Sequence, residues 1–521
     1  MAILNLDDTS VLHAGNNVNA RLGLAGSVFE NKGILDLTNG AYSLTDTSTV
    51  SGNYVGTAGS ELWLNTFLGD STSPTDKLIV NGGTSGETLI SITRDPDSPG
   101  AFTRDNGILV ARVDNDAASN ATFVLDGDYE FEGDPAVIGG AYAYRLFKNG
   151  VTTPTDGDWY LRSVRSDGSA EPQPLYQPGT PLYENYGKAL LGLNGLPSLQ
   201  QRVGNRYWNE PEQKIFCKDP AQNFQCTVTA DQASYYADGG YTDRSNAVWG
   251  RIEGAHGSYD LRNSTSLSDY DQNIFKLQAG LDGKLAENSS GWLIGGLTAH
   301  YGTMKTNVSS IFGTGEINTD GYGVGANLTW YGNNGFYVDG QASVTWYDSD
   351  LVSDWAGTMK DGNDALGYAL SLETGKRFEL DRNWVLTPQA QLVYSTVKFD
   401  NFTDNYDARV IGSREESLHG RLGLAIERQT NWKAEDDTIR KASLYGIANL
   451  YYDFMDGSPV DVSTVRFENE TDRLWGEVGI GGTVSLAKNT ELYGEARYAT
   501  SLRNFTDSYT VGGNLGIRVN W

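Results

Sequence analysis

From about residue 246 to its end the chain alternates apolar and polar residues in run after run, and nowhere does it hold eighteen uninterrupted apolar residues. A period of two puts every second side chain on one face of an extended strand, so this half is β-structure with two unlike faces and has no helix able to cross a bilayer. A membrane stays open to it. A β-barrel crosses lipid on strands of about 9–11 residues whose alternation keeps average hydropathy low, and the mean hydropathy here is −0.42. The clearest run is YTVGGNLGIRVNW, with Tyr509, Val511, Leu515, Ile517, Val519 and Trp521 on one face and Thr510, Asn514, Arg518 and Asn520 on the other. Leu474, Val478, Ile480, Val484 and Leu486 stand against Trp475, Glu477, Thr483 and Ser485 in the same way, and Phe275, Leu277, Ala279 and Leu281 against Lys276, Gln278, Asp282 and Lys284.

The pattern predicts twelve strands, near 246–260, 271–286, 290–304, 315–331, 335–350, 362–378, 384–399, 415–430, 440–456, 471–487, 490–501 and 509–521. An even count permits closure of an antiparallel barrel. Alternation alone would also suit a soluble sandwich. The aromatics decide for the membrane: Trp249, Trp292, Trp330, Trp346, Trp384 and Trp521 fall near predicted strand ends, where amphipathic rings settle at a lipid–water interface. The net charge of −27, with 39 Lys and Arg against 66 Asp and Glu, argues against a nucleic-acid partner, which needs clustered cations.

Upstream, residues 1–170 are poor in aromatics and rich in Gly, Asn, Thr and Ser, with short β-type runs such as Gly33–Leu37, Glu61–Leu64, Lys77–Val80 and Thr88–Ile92 between turn residues. Such runs suit the stacked rungs of a β-solenoid. Arg165 to Pro181 reads as a linker, and Leu182 to Trp208 as a helix interrupted at Pro197, a residue tolerated in a first helical turn. Leu199, Arg202, Val203 and Arg206 would then share one stripe, apolar and basic together. Residues 209–245 read as a bounded loop holding Cys217 and Cys226; eight residues apart with no His nearby, they suit a local disulfide in an oxidising compartment better than a metal site, two free thiols being the plainer alternative. MAILNLDDTSVL has no basic region followed by a long apolar run, so it is no signal peptide; either the protein is not exported or its native leader lies upstream.

These segments, in this order, resemble the C-terminal part of a type Va autotransporter of Gram-negative bacteria. The passenger motifs GSELWLNTFLGDSTSPTDKLIVNGGTSGETLISI (59–92), GGAYAYRLFKNG (139–150) and GDWYLRS (157–163) are similar to the autochaperone region that caps a pertactin-like β-helix. VWGRIEGAHGSYD (248–260), GLDGKL (280–285), GFYVDGQA (335–342), SLETGKRF (371–378), LTPQAQLVYS (386–395), RLGLAI (421–426) and GEVGIGGTVSLAKNTELYGEARYATS (476–501) are of the barrel type. The resemblance implies an all-β protein: the end of a right-handed parallel β-helix (1–170), a linker and lumen helix (171–208), a periplasmic loop with the cysteine pair (209–245), and a twelve-stranded antiparallel transmembrane barrel (246–521). It also implies an outer-membrane barrel with the passenger on the cell surface, a monomer in contact with the lipid bilayer, periplasmic chaperones, and a barrel insertase that reads Val519 and Trp521. A lumen of this width needs a polar-compatible filling, so the strand phase predicts that Asp282, Asp339, Glu373, Glu427, Glu477 and Glu495 face Arg202 and Arg206.

Members that cleave themselves in the barrel cut between two Asn residues just before a Leu-polar-polar-Arg stretch. Here Pro197 and Ser198 hold those positions before Leu199, so no catalytic residue is assigned, and Asn194-Gly195 reads as a turn or cap. Gly69-Asp70-Ser71 is similar to a lipase nucleophile block, but His13, the passenger's histidine, lies upstream of it rather than late in the domain. Gly321, Gly323 and Gly325 lie in a strand and read as room for the lumen helix, not as a dinucleotide loop. The four histidines are scattered, and neither metal nor cofactor is expected. The expected function is secretion and anchoring of the chain's own passenger; a barrel-anchored surface adhesin is the alternative, and a diffusion porin the weaker one.

Overall fold

A computed structural model describes residues 3–13, 19–38, 43–165, 171–208, 246–381, 383–412, 414–434, 439–487 and 489–521. Its first part is a β-helix of three parallel ladders. Ile3–Leu6, Val28–Asn31, Asn53–Gly56 and the start of Thr84–Arg94 stack as one face; Val11–His13, Ile34–Asp36, Glu61–Thr66, the rest of Thr84–Arg94 and Thr122–Asp126 form the second; Asn19–Leu22, Thr47–Val50, Lys77–Val80 and Ile108–Val113 the third. Rungs this short bury only one or two side chains per face, and those repeat in register: Leu35, Leu62, Ile90 and Leu125 form one buried column. Phe29, Tyr54 and Phe123 form a second, with ring centroids 6.0 and 6.1 Å apart.

The corners are polar and paired. The buried Asp76 carboxylate accepts the backbone N–H of Asp46 through Oδ1 and of Asn65 through Oδ2, both at 2.9 Å, so one side chain ties three corner segments. Asp76→Ala orphans both donors, at about 1–3 kcal/mol each. We expect the passenger of the full chain to become protease-sensitive at a urea concentration where the parent resists; equal resistance would remove this role.

The β-helix is closed by an antiparallel cap of Tyr129–Phe131, Asp134–Gly139, Tyr142–Lys148 and Trp159–Arg162, with Trp159 edge-on to Phe123 at 5.4 Å. The chain then enters α1 (Thr180–Leu193) and, after a bend, α2 (Leu199–Val203). A reciprocal cap starts α2: Ser198 Oγ accepts from the N–H of Gln201 (3.3 Å), and Gln201 Oε1 accepts from that of Ser198 (3.1 Å). Pro197 therefore lies before the cap and not in the first turn. The helix also ends sooner than the spacing suggested. Gly204, at φ 68° and ψ −163°, stops it, so Arg206 is carried by an extended tail and not by the stripe of α2.

Twelve antiparallel strands follow: Ala247–Tyr259, Ser268–Asn288, Gly291–Ser310, Gly313–Gly332, Phe336–Ser353, Gly357–Lys376, Trp384–Phe399, Glu415–Lys433, Ile439–Asp453, Leu474–Ala487, Thr490–Ser501 and Tyr509–Asn520. The first pairs with the last, Val248 opposite Val519, which closes the barrel and leaves no edge. The outer surface is an apolar belt in which Leu281, Leu297, Leu370, Leu422, Leu444 and Val478 are exposed. Trp346, Trp384 and Trp521 also face outward, but Trp249 and Trp292 are buried in the lumen. Their position near strand ends was read correctly and their face was not: Trp249 shares the phase of Arg251 and Glu253, and Trp292 stacks on Tyr331 at 5.3 Å beside α2.

The end holding both barrel termini has turns as short as 289–290 and 333–335. At the opposite end, the 400–414 and 454–473 connections contribute Phe402–Thr403, Arg409–Gly412, Val460–Val462 and Val465–Phe467 to a four-stranded sheet. The passenger rests on this end. Arg94 donates to the carbonyl of Tyr406 (3.4 Å), Thr464 Oγ1 to that of Gly100 (3.2 Å), and Tyr176 packs edge-on to Phe467 at 4.9 Å.

Candidate functional site: the occupied lumen

The segment between passenger and barrel runs through the lumen from the passenger end to the end that carries the barrel termini. At the passenger end α1 is held by side chains of the wall and of the loops. Asn185 Nδ2 donates to Ser268 Oγ (2.8 Å), and Glu184 accepts the backbone N–H groups of Thr265 (2.9 Å) and Ser266 (2.8 Å). Asp404, in the 400–414 connection, accepts Gln177 Nε2 (2.8 Å) and the Tyr183 hydroxyl (2.7 Å), latching that loop over the helix start. Burial pushes the Asp404 carboxyl above its ordinary range. A carboxyl whose pKa rises on folding holds its proton more tightly in the folded state. Its contribution is therefore fullest below the unfolded pKa and is lost as pH climbs through the raised one.

Below the bend at Gly195 the wall reads the backbone itself. Lys276 Nζ donates to the carbonyl of Gly195 (3.2 Å), Gln341 Nε2 to Pro197 (2.9 Å), the Tyr493 hydroxyl to Arg202 (2.5 Å), Arg518 to Val203 (2.6 Å) and Asn205 (3.1 Å), and Gln429 Nε2 to Tyr207 (2.9 Å). A helix as short as α2 has more orphan backbone groups than internal bonds, so these donors are what keep it helical in a confined space. Its apolar side, Leu199 and Val203, packs on Trp249, Trp292, Tyr331 and Tyr337.

The side chains add charge pairing. Arg202 Nη2 donates to Asp339 Oδ1 (2.5 Å) and Thr329 Oγ1 (3.3 Å), and Arg206 Nη2 to Asp282 Oδ2 (2.5 Å), all of them buried. The remaining acids take other partners. Glu373 accepts the N–H of Leu199 (3.0 Å) and the Tyr337 hydroxyl (2.8 Å); Glu427 accepts Asn205 Nδ2 (2.8 Å); Glu495 accepts Gln201 Nε2 (2.7 Å). Glu477 is bound to Asn449 (2.7 Å) and the Tyr451 hydroxyl (2.9 Å), both wall residues. All six acids face inward, yet only Asp282 and Asp339 pair directly with the two arginines.

Sequence reasoning missed the wall cations. Arg518 pairs with Glu491, its cross-strand partner on the last two strands, and grips the α2 carbonyl end. Arg497 joins Glu253 at 2.6 Å, and Arg251 joins the same carboxylate at 2.9 Å. The signal was available in the opposed polar faces of neighbouring strands. Val519 and Trp521 lie on the outward face at the barrel seam, where the N–H of Trp521 donates to the carbonyl of Asn246 (2.9 Å). Cys217 and Cys226 fall outside the described residues. Of the three glycines in one strand, Gly321 lies against Leu193 of α1, while Gly323 and Gly325 lie against neighbouring strands. Ser71 is at a polar corner, its Oγ accepting the N–H of Asp105 (3.2 Å), and His13 pairs with Asp36 (2.8 Å).

A closed strand cylinder, apolar outside and charged inside, threaded by the segment that precedes it, defines an outer-membrane barrel occupied by its own chain. The autotransporter β-domain family matches residues 248–497, and the type 1 autochaperone domain family matches residues 25–146. The chain belongs to the autotransporters. It is 46% identical over 481 residues to the adhesin BmaC autotransporter of Brucella suis biovar 1 (strain 1330), covering 91% of this chain and 13% of that protein. With the autotransporter adhesin AIDA-I of Escherichia coli it shares 24% over 491 residues, 92% of this chain and 34% of that one. It thus spans well under half the length of either relative. Among solved structures, the transport unit of AIDA-I from E. coli aligns with a TM-score of 0.45 at 21% identity, covering 53% of this chain and 90% of that one.

Proposed function

We propose that this chain is the translocating and anchoring portion of an autotransporter: the barrel and its lumen segment carry the passenger to the cell surface and hold it there. The observation that carries the reading is the path of residues 180–208, which joins the passenger cap at one mouth to the barrel-terminus end at the other. After export such a segment would stay behind as the seal. Periplasmic chaperones would escort the unfolded chain, and a barrel insertase would read the outward Val519 and Trp521 at the seam. The barrel would stand in the lipid as a monomer.

In cells making the chain behind a secretion leader, added protease is expected to degrade residues 1–170 while the barrel survives. A passenger attacked only after the outer membrane is permeabilised would refute surface display. Deleting Trp521 is expected to lower the outer-membrane amount by about tenfold, because a seam strand lacking its interfacial aromatic is poorly anchored; unchanged insertion would refute the role of this end. Adhesion is the second reading. It is favoured by the names of two relatives, BmaC and AIDA-I, both adhesins, and would reside in passenger sequence of the full-length protein.

A further inference from the structure

The α1 helix packs against strands Ser268–Asn288, Gly291–Ser310, Gly313–Gly332, Trp384–Phe399 and Glu415–Lys433 and against Val460–Val462 of the 454–473 connection. Beside it lies a cavity of about 340 Å³, bordered by the 454–473 connection at the passenger end. That volume lies within the range of small-molecule sites, about 300–1,000 Å³. His419, whose ring lines it, is half exposed despite pointing inward, so there is room for water beside it.

Its lining is mainly acidic, with Lys188 as its cation. Glu415, only 5% exposed, accepts the N–H of Ser458 through Oε2 (2.9 Å), while Oε1 has no hydrogen-bond partner. The cation whose charge acts on this carboxylate is Lys188, beyond ion-pair distance. Asp472 is held by Ser501 Oγ (2.6 Å), a neutral donor, and Asp453 by the N–H of Met455 (3.3 Å), with His419 Nδ1 3.6 Å from its other oxygen. Lys188 lines the same space, but its ammonium donates to the carbonyl of Asn469 (2.9 Å). Tyr451, Tyr259 and Trp475 also line it, the last two with ring centroids 5.9 Å apart. A buried carboxylate oxygen without a donor is costly, and carboxylates beside aromatic faces in a confined space attract organic cations through both charge and ring quadrupole.

We propose that this cavity binds a linear organic polycation of the polyamine class, with one ammonium on Glu415 and another towards Asp472, its aliphatic spine along the rings. A metal ion is the poorer fit, since among the described residues no three His, Cys, Asp or Glu side chains are grouped to hold one. Bound there, the amine fills lumen space that α1 leaves open. The inference stands whether or not the passenger is secreted.

The test is calorimetric titration of the full chain in detergent micelles with spermidine at fixed ionic strength, with octane-1,8-diol as the uncharged probe. Saturable binding at one spermidine per barrel is expected, with no binding of the diol. Glu415→Gln should weaken spermidine by about tenfold or more, through loss of the charged partner. Ala499→Trp, which fills the cavity from the wall, should abolish binding, and provides a second measurement if Glu415→Gln fails to assemble. Heat released no differently from sodium chloride, equal binding of the diol, or parent-like binding by the variants would overturn the proposal.

Discussion

Arg202→Glu is expected to unseat the lumen segment, raising ion conductance and lowering the temperature at which the barrel unfolds on a semi-native gel. Arg202 is 1% exposed and its partner Asp339 is fully buried, 2.5 Å away. Removing one member of such a pair costs about 3–5 kcal/mol, because the other charge is left without compensation in a dry site. Reversal adds repulsion, and Glu373, which accepts the Leu199 N–H nearby, increases it. Replacing both partners, Arg202→Met with Asp339→Leu, should recover most of the loss, since apolar pairs of similar volume often match a buried ion pair. A reversal with unaltered conductance and melting would show that the pair does not hold the plug.

Gly204→Val is expected to have an effect as large by a different route. Gly204 has φ 68° and ψ −163°, a region that essentially only glycine occupies, at a cost of about 1–3 kcal/mol for other residues. A Cβ there would also lie 2.8 Å from Cβ of Tyr493 and 2.9 Å from Oγ1 of Thr483, both on the wall. Overpacking of a filled site adds about 1–3 kcal/mol. Since this residue ends α2 and aims Asn205 and Arg206 at Glu427 and Asp282, the variant should lose the half of the seat at the end holding the barrel termini while α1 stays latched. Gly204→Ala should fall between parent and valine. A valine variant that remains closed in planar bilayers would contradict the backbone argument.

The strands were legible from period two, because each is buried on its inner face and exposed to lipid on its outer one and a one-residue slip would reverse both; the choice of a membrane barrel over a sandwich needed the aromatics as well. Strand count and the inward phase of Asp282, Asp339, Glu373, Glu427, Glu477 and Glu495 follow from the alternation, which permits closure without requiring it. The solenoid was fainter. Its rungs repeat at uneven intervals, as Val11 opposite Ile34 and Tyr54 opposite Thr84 show, because corners such as the one around Asp76 absorb extra residues. Which acid meets which arginine could not be read from phase. It depends on where Ser198 starts α2 and where Gly204 stops it, and helical spacing placed Arg206 wrongly. Position along the strand places Trp249 and Trp292 at a lipid interface, whereas the even spacing of Trp249 from Arg251, and of Trp292 from the buried Ile294 and Met304, puts both on the lumen face. The grip of Arg518 on the plug was hidden for a simpler reason: backbone carbonyls carry no sequence signature.

The central claim is that residues 180–208 seal a pore that would otherwise conduct. Single-channel recording of the full chain, beside a variant lacking 180–208, tests it directly. The full chain is expected to be nearly silent, and the variant to conduct more by on the order of tenfold, as for a barrel with a water-filled lumen. Equal conductance in the two would contradict it.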